Sequence, residues 1–138
     1  MSETATTPKP AATILLLRPG NNNLEVFMVV RHHQIDFASG ALVFPGGKAD
    51  PQDFEDSLLP HLQGAADQTD MRAAQVSAIR EAFEECGILL AREVGSEHII
   101  SAKRLESLQD QREPMNKGEI TLLDFLRNEQ LMLACDEL

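Results

Sequence analysis

Residues 70–87 constrain this 138-residue chain more tightly than any other stretch, because they specify a helix with two unlike faces. Val76, Ile79, Phe83 and Cys86 recur at intervals of three and four, so at about 100° per residue they share one side. Asp70 is a residue type that caps helix starts, and Gly87 stands where a left-handed residue ends a last turn. The other side, within "REAFEEC", carries Glu81, Glu84 and Glu85, all within about 100° of one another. Like charges at i,i+4 weaken a helix by a few tenths of a kcal/mol. Carboxylates about 5.5 Å apart repel by roughly 3 kcal/mol at an effective dielectric near 20, and by under about 1 kcal/mol in bulk water. A wet surface tolerates such a cluster; a cleft requires a cation.

A hard divalent ion meets that requirement. Mg²⁺ takes oxygen ligands, keeps several waters and commonly bridges one or two carboxylates to substrate phosphates. It can also polarise a phosphoryl oxygen and acidify a water. A solvated acidic helix face is the other reading, and the ExxEE spacing alone leaves both open.

The rest of the chain narrows the setting. Its length suits one domain with a real core, and 43% hydrophobic residues exclude a disordered composition. A formal charge of -10 argues against nucleic acid and anionic membrane surfaces as partners, but not against a small phosphorylated substrate. Cys86 and Cys135 have neither zinc-site nor disulfide-framework spacing, which points to a reduced, cytoplasmic compartment. No apolar run has signal-peptide or membrane-spanning length.

Along the chain, residues 1–10 read as a flexible N-terminal tail. "ATILLLR" (12–18) and "EVFMVVR" (25–31) read as a hairpin around "PGNNNL". "GALVFPGGKAD" (40–50) reads as a short apolar run broken by Pro45, Gly46 and Gly47 into a loop. A short helix limited by Pro60 is expected before residue 69, with a strand or core-lining segment at "ILL" (88–90). A further amphipathic helix is expected at about 97–111 and another from Thr121, where "TLLD" can form a capping box.

"FPGGKAD" followed by "REAFEECGI" resembles the signature of the Nudix hydrolases, G-x5-E-x7-R-E-U-x-E-E-x-G-U with U aliphatic. Gly47 matches its first glycine; Arg80, Glu81, Ala82, Glu84, Glu85, Gly87 and Ile88 match its second half. Two departures stand out. Asp53 occupies the place of the pattern's first glutamate and is one methylene shorter. Between Asp53 and Arg80 lie residues 54–79 where the pattern has seven positions, so the box is split into 47–53 and 80–88 by an insertion. A box interrupted in this way resembles the coenzyme A diphosphatase-like branch.

The resemblance implies an α/β (α+β) Nudix fold over 11–138, a mixed β-sheet between helices. It implies Mg²⁺ or Mn²⁺ held by Glu81, Glu84 and Glu85, with the Gly47 carbonyl as a further ligand. Glu84, Glu85 and Arg80 are then the catalytic residues, Arg80 through a salt bridge that orients the glutamates. The implied reaction is hydrolysis of a diphosphate joining a nucleoside moiety to another group, with coenzyme A or acyl-CoA as the expected small-molecule substrate. Helical patterning dominates after residue 91, so the expectation is a fold incomplete at its C-terminus, with sheet edges open to a partner such as a second copy. A nucleotide-binding sensor without hydrolysis and an inactive truncated domain are the alternatives. Arg31, at a strand end, is the candidate substrate-phosphate contact because guanidinium pairs bidentately with phosphate. His32 and His33 read as loop histidines, and Cys86 as a buried thiol on the apolar face.

Overall fold

The computed structural model describes residues 6–30 and 40–138; Arg31, His32 and His33 lie outside the described residues. The chain begins with short strands: β1 (Ala11–Thr13), β2 (Leu17–Pro19), β3 (Leu24–Val26), β4 (Val29–Val30), β5 (Leu42–Val43) and β6 (Gly46–Lys48). β2 and β3 form a hairpin, shorter than the expected pairing of 12–18 with 25–31 and closed by the Gly20 N–H donating to the Asn23 carbonyl at 2.7 Å; the outer parts of both runs pair elsewhere. β4 pairs antiparallel with β5, and β1 antiparallel with β6.

The β1–β6 ladder corrects the loop expected at Gly46 and Gly47. Both glycines are strand residues, opposite Thr13 and Ala12. Glycine is needed because the backbones approach closely: a Cβ on Gly46 would overlap the Ala12 carbonyl oxygen.

Residues 51–61 form two 3-10 turns, Pro51–Phe54 and Asp56–His61, the second containing Pro60. The short β7 (Leu62–Gln63) leads to α1 (Thr69–Cys86). Asp70 lies inside the first turn of α1 and does not cap it; Gln68 occupies the cap without a side-chain hydrogen bond. Gly87 ends the helix at φ 72°, as its position predicts.

α1 organises the molecule through two apolar flanks. Val76, Ile79 and Phe83 are fully buried in the main core, where Phe83 stacks on Phe125 with ring centroids 5.4 Å apart. Ala78 and Ala82, small enough for close approach, pack against Ile14.

Two strands follow α1, where the sequence shows chiefly helical patterning after residue 91. β8 (Ala91–Glu93) starts three residues beyond the "ILL" segment's first position, and Leu89 lines the core before it. The helix expected at 97–111 is divided: Ser101 caps α2 (Ala102–Ser107), a 3-10 turn spans Gln109–Gln111, and α3 covers Arg112–Asn116. α4 (Leu122–Glu129) is capped by the Thr121 hydroxyl, which accepts from the Asp124 N–H at 3.2 Å, the first half of the expected capping box. β9 (Leu131–Ala134) pairs parallel with β7 and antiparallel with β8, giving a mixed three-stranded sheet. Among the described residues no helix is long and apolar enough to cross a membrane.

Replacing Gly46 by Ala should cost about 1–3 kcal/mol through a backbone clash and lower the melting temperature by about 5 °C. An unchanged melt would show that β1 and β6 do not meet at this point.

Candidate active site

The place for a cation among the glutamates is partly taken by the protein itself. Arg80 projects from α1 and is only 4% exposed. Its fork meets Asp53 twice, Nε to Oδ1 at 2.8 Å and Nη2 to Oδ2 at 2.9 Å. Nη1 donates to Glu84 Oε2 at 2.9 Å, and Nη2 reaches Glu81 Oε1 at 3.4 Å and the Lys48 carbonyl at 3.5 Å. One buried guanidinium thus ties the Pro51–Phe54 turn, β6 and α1 together across the insertion.

Local structure explains why Asp53 reaches despite its shorter side chain. Asp50 caps the 3-10 turn, and Asp53 Oδ2 in return accepts the Asp50 N–H at 2.8 Å, a reciprocal capping box that fixes the carboxylate under Arg80. Burial would lower the Arg80 pKa, but Asp53, Glu84 and Glu81 more than offset it and raise it above the ordinary arginine value. For Glu84, burial is the largest effect and raises its pKa, against the opposing pull of Arg80 and with Glu81 adding to the rise.

Three carboxylates on one guanidinium leave the array with a surplus of negative charge. Glu81 and Glu84 are 15% and 7% exposed in their side chains, so Glu84 is no part of a freely solvated face. Glu85 is exposed. Glu84, Glu85, Gly46, Gly47 and Cys86 line a cleft of about 1010 Å³, which Val29 and Phe44 also wall. Glu81 lies at the Gly47 backbone: a Cβ on Gly47 would stand 2.7 Å from Glu81 Oε1. Cys86 is half-buried at this wall, which corrects the expectation of a core thiol; burial first, then Glu85, raises its pKa.

Among the described residues no three His, Cys, Asp or Glu side chains converge as around an ion. The donor chemistry nevertheless fits a hard divalent cation: carboxylate oxygens, excess negative charge and a backbone strand beside Glu81. β4 ends at Val30, one residue before Arg31, and that candidate contact falls outside the described residues. Arg112 and Gln109 bind the end of α1, and no sequence signal marks them, because an arginine in "QREPMN" looks like ordinary helix surface.

With the fold and this array in view, the class is clear: the chain has the Nudix fold, mixed sheet and helices around a glutamate-bearing helix. The structure is similar to that of a NUDIX hydrolase from Alicyclobacillus acidocaldarius, with 28% sequence identity and a TM-score of 0.65. The match covers 95% of this chain and 59% of that one, so this chain spans about three-fifths of its length. No protein-family model matches the chain, and no curated protein matches it.

Asp53→Asn should destabilise the protein by about 3 kcal/mol, because it leaves a buried arginine short of charge. A loss below about 1 kcal/mol in denaturant unfolding would mean that the pair does not hold the turn to α1.

Proposed function

We propose that this chain is a metal-dependent Nudix-type pyrophosphohydrolase acting on a nucleoside diphosphate joined to a second moiety. The observation that carries the reading is the Arg80 array, which fixes Glu84 at the wall of a cleft where Glu85 also stands. The similarity to a NUDIX hydrolase over nearly the whole chain supports it.

In this reading Glu81, Glu84 and Glu85 hold Mg²⁺ or Mn²⁺, with the Gly47 carbonyl as a further oxygen ligand. The bound ion supplies charge neutralisation at the diphosphate and acidifies the attacking water. Arg80 takes no direct part in bond making; it holds Glu84 and Glu81 in place and pays their mutual repulsion down. A carboxylate of the cleft takes the proton as water oxygen bonds to one phosphorus. The bond from that phosphorus to the bridging oxygen breaks, and the bridging oxygen leaves with the other phosphate. The apolar wall at Val29 and Phe44 receives part of the second moiety.

Coenzyme A or an acyl-CoA is the substrate that the interrupted box favours, and two free cysteines suit a reducing cytoplasm. Incubation with Mg²⁺ or Mn²⁺ and coenzyme A, NADH, ADP-ribose or nucleoside triphosphates separates the possibilities. Release of 3',5'-ADP from coenzyme A supports this reading. Binding without product would return the sensor reading in its place.

Glu85→Gln should lower turnover by well over tenfold while leaving the fold intact, since this side chain is exposed. Turnover within threefold of the unsubstituted protein would remove Glu85 from the chemistry. Glu84→Gln is the less clean test, because Glu84 is buried on Arg80.

A further inference from the structure

α1 ends against its own electrostatics. Its last turn carries Glu84 and Glu85 where the helix dipole is already negative, and no basic residue of α1 stands in that turn, Arg80 lying a turn earlier. The compensating cation arrives from α3. Arg112 donates from Nε to the Phe83 carbonyl at 2.9 Å and from Nη2 to the Glu84 carbonyl at 3.2 Å. Gln109 donates to the Gly87 carbonyl at 3.0 Å, and its Oε1 accepts from Arg112 Nη1 at 3.2 Å. The Glu84 and Gly87 carbonyls are thereby bound by side chains, and the Phe83 carbonyl, which also accepts the Gly87 N–H at 2.9 Å, gains a second donor. Gly87 makes room for this, since a Cβ there would lie 3.1 Å from Arg112 Nη1.

We propose that Arg112, supported by Gln109, is a positioning residue for the ion-holding carboxylates Glu84 and Glu85. It acts through the backbone of the last turn and touches neither ion nor substrate; the inference rests on the diphosphatase reading above. The helix is anchored in the core by Val76, Ile79 and Phe83, so its body does not depend on this cap. The turn that bears Glu84 and Glu85 does. Freed from Arg112, that turn frays, and ion binding must then order it again at a cost in conformational entropy.

The test uses the full chain with Arg112→Gln and Arg112→Lys, measuring Mn²⁺ binding by calorimetry and hydrolysis against Mn²⁺ concentration. Arg112→Gln should weaken Mn²⁺ binding about tenfold and raise the Mn²⁺ needed for half-maximal turnover equally. Turnover at saturating Mn²⁺ should change less, and Arg112→Lys, which keeps a cation at the carbonyls, should recover much of the affinity. Unchanged Mn²⁺ affinity in folded Arg112→Gln protein overturns the inference, even if its melt is lower. If Arg112→Gln does not fold, Gln109→Ala takes its place, and unaltered affinity there overturns it as well. Absence of Mn²⁺ uptake by the unsubstituted protein would sink the diphosphatase reading itself, whereas uptake untouched by the variants sinks the positioning role alone.

Discussion

The buried contact between Arg80 and Asp53 is the interaction on which the other features turn. Desolvating two charges costs several kcal/mol per ion, and only good geometry with further hydrogen bonds recovers it. Here the geometry is bidentate, and the remaining donors go to Glu84, Glu81 and the Lys48 carbonyl. The pair therefore does more than join two points of the chain. It fixes the turn before the insertion against the part of α1 that follows it.

The helix bearing this array has its side chains divided by size as well as polarity. Bulky Val76, Ile79 and Phe83 fill the main core, while Ala78 and Ala82 admit β1 closely. That close approach brings β6, paired with β1, alongside Glu81. Site and core are consequently one construction: a larger side chain at Ala82 or Gly46 would push the strand that stands beside the carboxylates. The cost falls at the end of α1, where anionic residues meet the negative pole and charge must be imported from α3.

Much of this was legible in the sequence where a local rule had no competitor. The spacing of Val76, Ile79 and Phe83, the αL stop at Gly87, the "PGNNN" turn and the Thr121 cap all appear as read. Tertiary context prevailed elsewhere. Gly46 and Gly47 look like loop residues, yet they form a strand: at Gly46 only a hydrogen lets β1 approach, and at Gly47 it leaves room for the Glu81 carboxylate. β9, "LMLA", lacks alternation because nearly all of it is buried, and Gln130 at φ 54° ends the preceding helix without the glycine that would have announced it. Glu84 reads as solvent-facing on a helical wheel, but Arg80 beside it draws it inward. A wheel shows direction from one axis and is silent about what covers that side.

The most direct test is Mn²⁺ added below stoichiometry to the isotopically labelled protein, with paramagnetic broadening of its amide signals as the readout. If the surplus negative charge around Arg80 is the ion site, the signals of Glu81, Glu84, Glu85, Gly46 and Gly47 should fade first and together. Fading confined to another acidic region, such as Asp136 and Glu137, or no selective fading at all, would contradict it.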